Sequence, residues 1–92
     1  MTGDAERELN RVVERLRTMP LGRLAVAAPL AYDACRAMLA VVGDEHTLPR
    51  LGDHAAADQV LVIAADAWAR AEGADARARI AEILTGLRRA LP

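Results

Sequence analysis

Five polar residues between positions 46 and 58 have the side chains that metal binding and acid-base chemistry require. They are His46, Arg50, Asp53, His54 and Asp58. Two histidines and a carboxylate can hold a divalent cation such as zinc or iron, and a histidine beside a carboxylate can act as a general base. His54 and Asp58 are four residues apart, which places them on one face of a helix. This spacing supports the hypothesis of a ligand or metal site, with enzymatic activity as one form of it.

The same residues also have a local structural interpretation. Asp53 can cap the helix that follows, and Asp58 can interact with His54 or Arg50. The segment contains no H-E-x-x-H or E-x-x-H pattern, and serine is absent from the whole chain. We therefore predict no catalytic residue and no cofactor, and the ligand or metal site is the alternative.

The composition predicts one small globular domain, spanning 1–92. The chain is 53% apolar and 27% charged, with a net charge of −1 and 21 alanines, so its core is poor in large side chains. A single Cys35 cannot form an intrachain disulfide, and it falls on an apolar helix face where a thiol packs in the core. No charged segment followed by a long apolar run comes after Met1, so we expect a cytoplasmic protein.

Apolar residues recur every three or four positions in four segments of the chain, and no segment alternates like a strand. The pattern predicts helices over about 4–18, 29–42, 53–72 and 75–90, with a short helical turn at 21–27. Helix starts are expected at Asp4 or Thr2, at Asp53 and at Asp75, since aspartate and threonine are common caps. Pro29 is expected in a first turn, where a missing N–H does no harm.

The predicted fold is all-α, a small up-down four-helix bundle. The second and third helices are rich in alanine and apolar on a broad arc, so we expect them to form a tight antiparallel hairpin between the other two. Residues 44–75 carry most of the acids and 76–92 are basic, which predicts that these two segments pack beside each other.

The predicted function is protein–protein interaction or self-association, with a homodimer as one form. The two middle helices have more apolar surface than a small bundle can cover, and association often stabilises such domains. We expect the interface at Tyr32, Leu39, Val62, Ala65 and Ala69.

The window from Leu24 to Val42 contains Pro29, Asp33 and Arg36, so it is not predicted to span a membrane.

DNA regulation is the third hypothesis. Four arginines of the last helix can form a basic strip for phosphates: Arg77, Arg79, Arg88 and Arg89. The net charge of −1 and the acidic segment before this helix argue against it, because phosphate binding needs a surplus of positive charge on one face. Nucleic acid is therefore not an expected partner.

Overall fold

A computed structural model describes residue 1 and residues 3–92 of the chain. Its helices are α1 (Gly3–Thr18), α2 (Leu21–Val41), α3 (Ala56–Arg70) and α4 (Gly73–Ala90), with a 3-10 turn at Asp53–Ala55 leading into α3. The described residues include no strand. The four helices pack against one another, which confirms the predicted all-α four-helix bundle.

The helix starts differ from the predicted ones. Asp53 is the first residue of the 3-10 turn, and Asp4 and Asp75 lie within the first turns of α1 and α4. Thr2, the other cap predicted for α1, is outside the described residues. The three aspartates are therefore not caps, and they stabilise the helices through the positive end of the helix dipole.

The second helix is longer than the sequence predicted. It runs without interruption from Leu21 to Val41, so the segment 21–28 belongs to α2 and is not a separate turn. Pro29 lies inside the helix, where it has no N–H to donate to the carbonyl one turn earlier. Its ring is on the exposed side, where water can satisfy that carbonyl, so the helix continues through it.

α2 and α3 run parallel, which corrects the predicted antiparallel hairpin. Their C-terminal ends meet where the guanidinium of Arg70 donates a 2.8 Å hydrogen bond to Asp44, just after α2. Earlier parts of the same two helices also lie together, because Ala28 and Ala56 line one small cavity. The contact between α2 and α3 is the most extensive in the bundle.

The connection between these two helices runs back along them. We call residues 43–52 the return segment. The Tyr32 hydroxyl donates a 2.5 Å hydrogen bond to the carbonyl of Leu48, and the side-chain amide of Gln59 donates one of 3.0 Å to the carbonyl of Pro49. One bond comes from α2 and the other from α3, so the segment is held against both.

α1 lies antiparallel to α3 and parallel to α4. Arg17, at the end of α1, donates a 3.1 Å hydrogen bond to Asp58 near the start of α3, and Arg88 of α4 donates one of 2.5 Å to Glu8. Both the acidic and the basic segment thus make ion pairs with α1. The two segments pack beside each other as expected, with Arg77 over the Trp68 ring, although in the described part of the chain no ion pair joins them.

All four helices contribute to the core. The largest fully buried side chains are Met38, Ile80, Leu84, Val12, Val60 and Cys35. Buried alanines of α2 and α3, among them Ala31 and Ala64, let the helix axes approach closely. Cys35 lies in the core as predicted, and burial raises the pKa of its thiol to about 12.

We expect the Pro29→Ala variant to be more stable than the wild type. Alanine restores the missing N–H at an exposed position in a helix, although it also gives the unfolded chain more freedom. The free energy of unfolding in urea should rise by about 1–2 kcal/mol. Ala37→Pro, at another exposed position of α2, should lower it by about 3 kcal/mol. A Pro29→Ala variant no more stable than the wild type would contradict this account of α2.

Candidate functional site

The residues predicted to form a ligand or metal site are spread over the surface, and most have partners outside the set. The ring Nδ1 of His46 lies 3.0 Å from Asp44, and its side chain is 98% exposed. Asp58 pairs with Arg17 of α1. The guanidinium of Arg50 lies over the Tyr32 ring, 5.1 Å from its centroid. These three side chains are therefore held by different neighbours and do not converge.

His54 and Asp53 begin the 3-10 turn and are both exposed. The His54 imidazole lies against the backbone of Gly52, so close that a Cβ at that position would come within 2.8 Å of its Cε1 atom. A side chain at position 52 would therefore displace the exposed His54 ring. Among the described residues, no three histidine, cysteine, aspartate or glutamate side chains are grouped so that they could hold a metal ion.

A polar junction is present instead at the C-terminal ends of α2 and α3. The carboxylate of Asp44 accepts hydrogen bonds from Arg70 at 2.8 Å and from the backbone N–H of His46 at 2.9 Å. Arg70 also donates to Asp66 at 3.0 Å. The Asp44 side chain is only 15% exposed. These contacts, the Arg70 hydrogen bond first and those from His46 next, hold the pKa of Asp44 well below its usual range.

A hollow of about 320 Å³ lies between the C-terminal half of α2 and the return segment. Its lining residues come from α2 and from the chain just after it: Tyr32, Arg36, Leu39, Ala40, Asp44, Glu45, His46, Thr47 and Leu48. The return segment leaves Tyr32 half-buried and Leu39 only 7% exposed. These two predicted interface residues therefore lie beneath the return segment, away from the other three.

The other three predicted interface residues lie together on the outer surface of α3. Val62, Ala65 and Ala69 are all exposed, with Val62 at 63%. Val62 is the one large apolar side chain among them, and the charged Asp58 and Asp66 are beside it on the same side of the helix. This is a narrow apolar strip bordered by charges.

A larger uncovered apolar surface lies on α2. Its exposed residues recur at helical spacing along the whole helix, and we call them the outward α2 face: Gly22, Ala25, Val26, Pro29, Asp33, Arg36, Ala37 and Ala40. Val26 is 60% exposed, and Leu21, at the edge of the face, is 80% exposed. Leu24, Ala28, Ala31, Cys35 and Met38 point the other way, into the core. α2 is thus apolar on both sides but covered on one.

Sequence reasoning missed this face because it predicted a separate short turn at 21–27 and began the helix at Pro29. Without those residues in the helix, Leu21 and Val26 cannot be assigned to any side of it. The signal was the unbroken apolar composition from residue 21 onward. In the described part of the chain, α2 is the one helix long and apolar enough to cross a membrane, by length and composition alone.

A second apolar groove, of about 580 Å³, lies between the start of α1, the end of α3 and α4. Alanines form its floor and Trp68 one wall, with Arg77 over the indole at 5.2 Å from the ring centroid. Trp68 is only 8% exposed, so most of its ring is already in contact with the protein. This groove offers little uncovered aromatic surface for a ligand.

Comparison with known proteins finds no family model, no curated protein and no solved structure that matches this chain. The function must therefore be argued from the exposure and contacts of the chain's own residues. Among the described residues, the outward α2 face leaves Val26 exposed, with Leu21 at its edge, whereas the polar residues around Asp44 already bind one another.

We expect Asp44→Asn to destabilise the protein at neutral pH and much less at acid pH. The folded state lowers the pKa of this carboxyl below its unfolded value of about 3.9. Its charge therefore contributes stability above that pH, and the contribution is lost as the pH falls through the folded-state pKa. Urea denaturation should show the largest difference from wild type at pH 7, shrinking below about pH 4.

Asp53→Asn provides the matched control, because Asp53 is exposed and makes no ion pair among the described residues. Its effect on the free energy of unfolding should be small at every pH. A deficit for Asp44→Asn that is the same at pH 7 and pH 3 would contradict a stabilising carboxylate.

Proposed function

We propose that this protein acts by binding a protein chain through the outward α2 face, and that it is not an enzyme. The observation that carries the proposal is the exposure of Val26 and Leu21, at 60% and 80%, on a helix whose opposite side forms the core. We place this interaction in the cytoplasm, as the sequence predicts. Exposed apolar surface bordered by polar groups is typical of interaction sites.

The residue types of the face favour a helix or another flat protein surface as the partner. Apart from Val26, its apolar members are small, being alanine, glycine and proline. Small side chains let a partner helix come close enough for its own side chains to fill the space between them. The charged Asp33 and Arg36 lie in the middle of the face, where they can fix the alignment of a partner.

A protein is favoured over nucleic acid as the partner. Two arginines of the predicted basic strip on α4 are engaged within the chain, Arg88 with Glu8 and Arg77 with Trp68. The outward α2 face carries Asp33 and Arg36, with Arg23 exposed at its edge, so it offers no cluster of basic residues for phosphates.

The outward α2 face is favoured over the strip around Val62 because its exposed apolar residues extend over a longer part of the helix. The exposed apolar residues of α2 continue from Leu21 to Ala40, whereas those of α3 extend only from Val62 to Ala69. The strip on α3 is therefore the comparison site in the experiment that follows.

Site-specific photo-cross-linking in cells that express the full chain tests the proposal. A benzophenone amino acid at Val26 should form discrete protein adducts, because the side chain points into the proposed interface. The same amino acid at Val62 tests the strip on α3, where we expect no such adducts. At Glu82, an exposed position of α4, it should form none above background. Circular dichroism of each purified variant should match the wild type, because all the replaced residues are exposed.

Three other outcomes would overturn the proposal in different ways. Adducts from Val62 and none from Val26 would move the interface to α3. Adducts of Val26 with lipid only would assign the face to a membrane surface. No adduct from either position would contradict protein binding itself.

A further inference from the structure

We propose that the partner of the outward α2 face is a second copy of this chain, with its α2 packed antiparallel against the first. This inference rests on the proposed function, since it requires that the face binds protein at all. It adds the identity of the partner, the direction of the two helices and the residues that face each other.

A heptad seam runs along the exposed side of α2. Its members alternate in steps of four and three residues, and all of them are exposed: Gly22, Val26, Pro29, Asp33, Arg36 and Ala40. This is the spacing of the a and d positions at which two helices of a coiled coil meet. The buried side of α2 has the same spacing, in Leu24, Ala28, Ala31, Cys35 and Met38. α2 therefore has one seam inside the bundle and one outside it.

The charges at the centre of the outer seam select a second copy. Asp33 and Arg36 are the only charged residues in the seam, and they are adjacent members of it. They are three residues apart on one helix, yet neither makes an ion pair among the described residues. A surface with one acid and one base side by side is complementary to itself after a two-fold rotation.

The same two residues fix the direction of packing. In an antiparallel pair, each layer of the seam joins an a residue of one helix to a d residue of the other. With the two-fold axis between positions 34 and 35, Asp33 of each copy lies beside Arg36 of the other. A parallel pair would set Asp33 against Asp33 and Arg36 against Arg36, which is repulsive. The antiparallel arrangement therefore satisfies all four charges, and the parallel one satisfies none across the interface.

The outer layers of this register pair a larger residue with a small one. Pro29 of one copy faces Ala40 of the second, and Val26 lies opposite the turn at Gly43 that follows α2. The small residue in each layer allows a short distance between the helix axes, so the ion pairs at the centre come within reach. Val26 at each end is the larger apolar side chain that this close approach covers.

Charge reversal in the purified full chain tests this arrangement. Sedimentation equilibrium over a series of concentrations should show a dimer for the wild type. Asp33→Arg and Arg36→Asp should each raise the dissociation constant about tenfold or more, because each variant places like charges together at the centre of the seam. An equimolar mixture of the two variants should restore the dimer, because every Arg then faces an Asp.

Two control measurements show whether the loss of the dimer is specific to the charges at the centre of the seam. Arg89→Asp, at an exposed position on α4, should leave the dissociation constant unchanged. Far-ultraviolet circular dichroism of all variants should be that of the wild type, since Asp33 and Arg36 are exposed in the single chain.

A wild type that is monomeric at every concentration would overturn the proposed self-association. If the wild type is a dimer but the mixture of the two variants stays monomeric, the proposed pairing of Asp33 with Arg36 is overturned. A dimer that is insensitive to both reversals would overturn this register. In each case, cross-linking of Val26 to a different protein in cells would still support the proposed function. Cross-linked adducts of twice the chain mass are expected only if the partner is a second copy.

Discussion

The parallel packing of α2 on α3 is the constraint on which the rest of the structure depends. Two parallel helices that follow each other in sequence need a connection as long as the helices, and residues 43–52 provide it. The Asp44–Arg70 contact holds one end of this connection and the Gln59–Pro49 hydrogen bond the other. Parallel helices also bring two negative dipole ends together, and the guanidinium of Arg70 lies at that point. One arginine thus stabilises both the helix pair and the segment that joins it.

The helices could be predicted from the sequence, whereas their directions could not. α1 was predicted within one residue, because its apolar residues lie on one face and all its other positions are polar. The start of α2 was misplaced because proline inside a helix is costly, and only the exposure of Pro29 to water makes it tolerable there. The parallel direction depends on bonds to the backbone carbonyls of Leu48 and Pro49, which leave no mark on the pattern of side chains.

The candidate sites could likewise be predicted only in part, because spacing along the sequence does not determine contacts between distant segments. Spacing alone placed His54 and Asp58 on one helix face, but the start of α3 is a 3-10 turn and Asp58 pairs with Arg17 of another helix. Contacts between distant segments decide such pairings, and a single sequence does not contain them. The exposed side of α2 could be assigned only once the helix was known to begin at Leu21. The heptad spacing from Gly22 to Ala40 is then plain in the sequence itself.

The contacts of α4 with α1 and α2 affect how the protein folds during synthesis. Glu8 and Arg88 are in contact although they lie at the two ends of the sequence, and Ile80 and Leu84 of α4 fill the core beside Met38 of α2. The core therefore cannot close until α4 has left the ribosome. Until then the core residues that α4 covers remain exposed, which is when a chain of this kind is most open to chaperones and to aggregation.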